Sequence, residues 1–402
     1  MAIVAPGRST SHDSIPCMEV FRRFAFLSTL LILHVTAPGQ STTARQKFQT
    51  QSSVLKESRT IFIARPAGYQ TETDRYPVLY LLDGETHFEY VAGMAHFLAE
   101  NDRIPKLIVV GIASGASAQR RRDLTTPTQS ELDKRFSPGN GGADHFLRFL
   151  SEELIPHIDR NYRTRPYRIL AGHSLGGLFA VHTLTTSPKL FNAYIAIDPS
   201  LEWNDGKEVT QAEKFFSDTK ELQADFFMTA ANDLGVSAEI RRLATAFDQK
   251  TPAGFRWKFE WMKDETHGSI PLPSMYLGIS KIFDGWHLTN AVDLFDKGGM
   301  EAIHRHFREG GKRYGYDRTT SPFVVSMVVA GLINAGRLDE ASSVLFQDTK
   351  AYPPPWNQLD AMARAYAKRN KSEQAIRFYR LSLKENPRND WARQKLTEYG
   401  VP

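Results

Sequence analysis

The stretch Gly172-His173-Ser174-Leu175-Gly176-Gly177 constrains this chain more than any other. It follows the apolar run Arg168-Ile169-Leu170-Ala171 and precedes the apolar run Leu178-Phe179-Ala180-Val181. The pattern G-x-S-x-G in that setting calls for a strand that turns sharply into a helix. Small residues on both flanks let the helix pack close to the strand, and the serine is pushed out at the sheet edge in a strained conformation. A glycine-rich structural turn with an incidental serine is the plainer reading, and the strand–helix context argues against it. A phosphate cradle is excluded because no Gly-Lys-Ser/Thr follows.

The turn sits in a matching series of segments. Thr60–Ala64, Pro77–Leu82, Lys106–Ile112, Tyr167–Leu170, Ala193–Ile197, Asp225–Thr229 and Phe255–Trp261 read as strands. Helical stretches separate them, among them Phe88–Glu100, a segment around Phe146–Ile155, and Leu175–Thr185. Continuous apolar runs alternating with helices predict an α/β fold with a doubly wound, mostly parallel sheet buried on both faces, over residues 41–289. Ser41–Ser53 is polar and reads as a linker into the first strand.

Charge and cysteine usage remove several functional classes. The 402 residues carry 50 Lys+Arg and 45 Asp+Glu. Residues 288–402 hold 18 of those basic residues against 13 acids, so the surplus belongs to the tail and the central region is near neutral. That distribution argues against a nucleic-acid footprint on the main domain. The single cysteine, Cys17, excludes a disulfide scaffold, a Cys-based zinc site and an iron–sulfur cluster. No metal-ligand spacing occurs and no cofactor is expected.

Residues 1–40 read as a signal peptide and leader. Arg22-Arg23 precedes the apolar run Phe24–Leu33, which has secretory length and is too short for a membrane span of ~20 residues. Met18 is an alternative start, and Val35-Thr36-Ala37 and Thr42-Thr43-Ala44 are alternative cleavage regions. An exported protein, periplasmic or extracellular, follows, with no stable membrane insertion once the leader is removed.

Residues 290–402 read differently, as a small all-α helical-repeat region. Ala341 and Ala375 stand 34 residues apart, as do Pro353 and Pro387. With Tyr366 and Tyr379 they fall on the small, aromatic and proline positions of a tetratricopeptide-like helix pair. The expectation is that this tail packs beside the catalytic mouth and shapes access to it. A protein partner, if there is one, is expected on the tail.

Leu82-Asp83-Gly84, Gly141-Gly142-Ala143-Asp144 with Phe146, Leu154-Ile155-Pro156 and Tyr162-Arg163-Thr164 stand around the elbow, and in them the chain resembles the esterase D and enterochelin-esterase group of α/β-hydrolases. The resemblance continues through Ala171–Gly177 and ends in Glu265-Thr266-His267-Gly268-Ser269. It covers roughly residues 60–285 and leaves out the tail. It implies a serine hydrolase without fixing the substrate, since relatives include trilactone siderophore esterases, S-formylglutathione hydrolases, feruloyl esterases and mycolyl transferases.

A serine hydroxyl needs a base to become a nucleophile. His267 lies in a polar turn after the last strand and satisfies the hydrolase order of serine, acid, histidine. The acid is expected to be Asp233, which follows the strand Asp225–Thr229; Asp198, after the preceding strand, is the alternative, and so is a pair with no carboxylate. The oxyanion donors are expected to be the backbone N–H groups of Leu175 and Glu85, with Gly84 allowing close approach. Arg120-Arg121-Arg122-Asp123 resembles a family motif near the substrate entrance, and reads equally as a solvated charge run. The catalytic set is therefore Ser174, His267 and Asp233, acting on a small-molecule carboxylic ester through an acyl-enzyme. An acyltransferase would use the same residues, and a binding module that recruits partners through the tail is a third reading.

Overall fold

The computed structural model describes residues 44–233, 235–347 and 353–401. The leader, with Cys17 and the apolar run, lies outside them. Eight strands form one sheet: β1 (Ala44–Ser52), β2 (Glu57–Arg65), β3 (Tyr76–Leu81), β4 (Ile108–Ile112), β5 (Thr164–His173), β6 (Ala193–Ile197), β7 (Asp225–Ala230) and β8 (Arg256–Trp261). Their order across the sheet is β1-β2-β4-β3-β5-β6-β7-β8. The first two pairings, β1 with β2 and β2 with β4, are antiparallel, and every later one is parallel.

Alternation along β3 shows how the sheet is buried. Val78, Tyr80 and Leu82 enter one apolar cluster, while Leu79 and Leu81 enter another. Successive side chains of a strand leave opposite faces, so the two clusters are the two faces of the sheet, each covered by helices. All six residues of β3 are buried, as a central parallel strand requires.

The strand β1 corrects the sequence reading, in which Ser41–Ser53 was a polar linker. Its nine residues pair in register with β2, from Ala44 opposite Arg65 to Ser52 opposite Glu57. An edge strand half in water can be polar along much of its length, so Gln46, Lys47 and Gln49 conceal the strand. Of its side chains, Phe48 packs against the apolar cluster.

The tail is a set of antiparallel helices: Pro322–Asn334, Leu338–Phe346, Trp356–Ala367, Ser372–Glu385 and Asp390–Glu398. The small and aromatic positions singled out above line its interior, with Ala341 and Ala375 fully buried and Tyr366 and Tyr379 nearly so. This core begins at Leu288 and is separate from those of the sheet.

The tail meets the sheet far from the expected place. After the long helix Ala291–Arg313, Tyr314 inserts between Tyr167 and Phe283, with ring centroids 5.2 and 4.9 Å away. Arg313 pairs with Asp225, the first residue of β7, which also binds Arg256 at 2.7 Å. Arg165, near the start of β5, donates to the Gly315 carbonyl and lies 3.7 Å over the Tyr316 ring. These are the N-terminal ends of the parallel strands. Ser174 follows the C-terminal end of β5, so the junction and Ser174 occupy opposite edges of the sheet. The expectation of a tail joined beside the catalytic mouth is thus corrected: charge pairs and aromatic stacking anchor residues 313–316 at the opposite edge of the sheet.

Candidate active site

At the upper edge β5 ends in His173, and Ser174 takes φ 61° and ψ −119° before the helix Leu175–Thr186 begins. A positive φ at a non-glycine residue costs of order 1–3 kcal/mol and persists only where surrounding contacts hold it. Here the Ser174 N–H donates to the Ile197 carbonyl at 2.9 Å, and the Ser174 carbonyl accepts from Leu178 and Ser200. The glycines make the turn sterically feasible. A Cβ on Gly172 would lie 2.5 Å from the Gly176 carbonyl, and one on Gly177 would lie 2.8 Å from the Pro199 side chain.

The loop after β6 carries the carboxylate that meets the His267 ring. Asp198, itself at φ 41°, accepts from the Ala231 N–H at 3.0 Å through Oδ1. Its Oδ2 stands 2.6 Å from His267 Nδ1. Burial works to raise the Asp198 carboxyl, but the hydrogen bonds from His267 and Ala231 prevail and hold it below the ordinary carboxylate value. The hydrogen bond to Asp198 raises His267 above 6.5, against the opposing effect of burial.

The expected acid, Asp233, does something else. Its Oδ2 accepts the backbone N–H of His267 at 3.2 Å, and its neighbour Asn232 binds the Glu265 and Lys263 backbone. Asp233 therefore props the loop of His267, while the carboxylate on the ring nitrogen is Asp198. The physical reason lies in the strand order: β6 lies beside β5 and β7 one strand further out, so the turn after β6 opens next to Ser174.

Leu175 and Glu85 both lie in the first turns of helices, Leu175–Thr186 and Gly84–Glu100, where backbone N–H groups have no partner within the helix. The Glu85 side chain is occupied separately, accepting from the Ser114 and Gly115 N–H groups at 3.0 and 3.1 Å. Gly84 packs against β4 so closely that a Cβ would lie 2.7 Å from the Gly111 carbonyl carbon. Before it, Asp83 holds a left-handed conformation with its carboxylate buried.

Ser200 and His173 at this edge escaped the sequence reading, and Arg120 was read only within its basic run, as a motif near the substrate entrance or a solvated face. Arg120 reaches Asp83 through Nε at 2.7 Å and Nη2 at 2.9 Å, and Nη2 also donates to the His173 carbonyl at 3.1 Å. One guanidinium thus ties the turn carrying Glu85 to the turn carrying Ser174. Its neighbour Arg122 instead pairs with Glu57 and Asp123, so the basic run is a set of specific anchors rather than a solvated face. Ser200 Oγ lies 3.2 Å from Ser174 Oγ. The ring of His173 lies 4.4 Å from that of His267. Only Arg120 left a signal, in the charge run.

A cavity of about 340 Å³ opens beside His267, lined by Pro199, Ser200, Glu202, Asp233, Ser237 and Ile240 together with Asp198 and His267 itself. Among the described residues no group of three or more His, Cys, Asp or Glu side chains is arranged to hold a metal, and no helix is long and apolar enough to cross a membrane.

A serine in a strained strand–helix turn, and a carboxylate-paired histidine at the same edge of a mostly parallel eight-stranded sheet, define an α/β-hydrolase. The chain belongs to the Esterase family, which it matches over residues 52–253, and is a carboxylic ester hydrolase. It is 38% identical over 265 residues to the ferri-bacillibactin esterase BesA of Bacillus subtilis, covering 59% of this chain and 90% of that protein. It is 33% identical over 171 residues to a siderophore triacetylfusarinine C esterase of Aspergillus fumigatus, covering 39% of this chain and 54% of the relative. The crystal structure of an IroE-like serine hydrolase from Shewanella oneidensis superposes with a TM-score of 0.59 at 29% identity, covering 75% of this chain and 98% of that one.

Proposed function

We propose that this protein is an exported serine esterase that cleaves a siderophore-type carboxylic ester through an acyl-enzyme. Ser174 is the nucleophile, His267 the base and Asp198 the orienting acid. The observation that carries the reading is the 2.6 Å contact of Asp198 Oδ2 with His267 Nδ1 beside the elbow. With Nδ1–H donated to Asp198, Nε2 is the ring atom free to take a proton.

The steps follow. Ser174 Oγ attacks the ester carbonyl carbon while His267 Nε2 takes the hydroxyl proton. The oxyanion is held by the backbone N–H groups of Leu175 and Glu85. The carbon–alkoxide bond then breaks, and the alcohol leaves with the proton from His267. Water, deprotonated by His267, attacks the acyl-enzyme; the Ser174–acyl bond breaks, the proton returns to Ser174 and the carboxylic acid departs. The siderophore class is supported by the relatives, which are named for ferri-bacillibactin and triacetylfusarinine C. Export rests on the basic and apolar leader at Arg22–Leu33. Residues 41–289 form the catalytic domain. Residues 290–402, tetratricopeptide-like, are the place for a protein partner.

The test is a p-nitrophenyl ester chain-length panel run beside a ferric trilactone siderophore, with Ser174→Ala as the comparison. Loss of ~10⁴–10⁶ in kcat is expected, together with loss of fluorophosphonate labelling. Wild-type turnover by Ser174→Ala would overturn the reading.

A further inference from the structure

The catalytic histidine does not stand alone. His173, the last residue of β5, has its ring centroid 4.4 Å from that of His267, with the planes inclined by 40°. Behind it the ring of His87 meets that of His173 edge-on at 6.2 Å, and the His87 Nδ1 is 2.9 Å from the Tyr90 hydroxyl. Arg120 fixes the His173 carbonyl at 3.1 Å. The His173 Nε2 is buried and has no hydrogen-bond partner among the described residues. The contact with His267 is ring against ring, and what His173 offers the base is a face.

We infer that His173 is a positioning residue, a plate that keeps the His267 ring in place and covers one of its faces from water. The inference rests on His267 being the base. About half of the His267 side chain is otherwise open, at 44% exposure, and its polar anchor is the single contact with Asp198. A ring held at one nitrogen can still tilt about that bond, and a second flat surface removes the freedom. Small losses of alignment at a reacting group cost rate far out of proportion to their size.

The plate must also stay uncharged while the base works, since an imidazolium beside His267 would oppose its protonation during turnover. Its surroundings arrange this. Burial first, and then the nearby His267, His87 and Arg120, together push His173 down to about 4 against the opposing pull of Asp198. His173 is therefore neutral throughout the range in which His267 titrates.

The test compares His173→Ala with His173→Phe in the full-length protein, using steady-state kinetics against pH. Removing the ring from His173→Ala lowers kcat about tenfold and leaves KM within about twofold, because alignment and not ground-state binding is lost. Water then reaches the His267 ring and stabilises its charged form, so the acid limb of kcat/KM moves to higher pH. His173→Phe restores a flat face and brings back both kcat and the limb. Should His173→Ala not fold by circular dichroism, His173→Leu, bulky and not planar, replaces it with the same expected losses. An unchanged kcat and acid limb in His173→Ala, or a His173→Phe no better than it, overturns the inference. His267→Ala separates the two levels of failure. If it is inactive while His173→Ala is normal, the positioning role alone falls; if it keeps wild-type turnover, the base assignment falls and this role with it.

Discussion

His267 is gripped by two carboxylates from neighbouring loops: Asp198 holds its ring nitrogen at 2.6 Å, and Asp233 holds its backbone N–H at 3.2 Å. The two contacts act on different degrees of freedom. Asp198 fixes the tautomer and direction of the imidazole and stabilises its charged form. Asp233 fixes the height of the loop from which the imidazole hangs.

The two asparagine variants should separate accordingly. Asp198→Asn can no longer carry the negative charge that steadies the imidazolium, and kcat should fall by ~10²–10⁴. Asp233→Asn still offers an oxygen to the backbone N–H and should lose less than about tenfold. The pH profile gives a second check. Asp198 raises His267 above 6.5, so activity in the wild type falls as pH drops through that raised value and the base becomes protonated. In Asp198→Asn the acid limb of kcat/KM should move to lower pH, because the main support of the protonated form is gone.

The elbow and the parallel strands were legible because local chemistry dictates them. Only small residues fit at Gly172 and Gly177, and only a buried strand reads as Val78-Leu79-Tyr80-Leu81-Leu82. The choice between Asp198 and Asp233 was not legible. Both follow a strand and both end near His267, and which one meets the ring depends on strand order and on the positive φ of Asp198. The strand β1 was hidden by its water-facing side chains, and the junction at Asp225 by the fact that long-range ion pairs leave no periodic trace.

Arg120 should be irreplaceable by lysine. Its guanidinium spans both oxygens of a buried Asp83 and the His173 carbonyl, a fork that a single ammonium cannot copy. Arg120→Ala leaves Asp83 buried with Ser114 as its remaining side-chain donor and should destabilise the fold by ~3 kcal/mol. Urea unfolding reads that loss. Arg120→Lys should recover part of the stability but little of kcat, because the Glu85 and Ser174 turns would no longer be tied to one rigid group.

A buried histidine behind the elbow predicts how stability responds to pH. His182 lies on the nucleophile's helix, between Asp144 at 2.9 Å and the fully buried Glu208 at 3.3 Å. Burial opposes its charge, yet the two carboxylates prevail and raise its pKa above 6.5. A pKa raised by folding adds stability that is fully present below the unfolded value and is lost as pH rises through the folded one. As pH rises from about 6.5 through the raised folded value, unfolding free energy should therefore decline by more in the wild type than in His182→Asn. Equal slopes would show that folding leaves the proton affinity of His182 unchanged.

The position of the tail predicts that catalysis does not depend on it. The junction is built from Arg313 with Asp225, Arg165 with Gly315 and Tyr316, and Arg318 stacked 3.6 Å from the Trp286 ring. All of these lie at the edge of the sheet away from Ser174, so binding energy gathered on the tail cannot be spent at the reacting carbonyl. A chain ending after Arg318 keeps every one of these contacts and removes the helices beyond them. Its kcat/KM should stay within about twofold of the full-length value for both a short acetyl ester and a bulky trilactone. Its melting temperature should fall, because Ile303 and Phe307 of the long helix lose the apolar cover of the removed helices. Arg313→Ala in the full-length chain supplies the control for folding. Asp225 keeps its contacts with Arg256 and Tyr167, so the cost should be about 1 kcal/mol with kcat unchanged. A selective loss of the bulky substrate in the shortened chain, with the acetyl ester unaffected, would show that the tail reaches the catalytic edge after all.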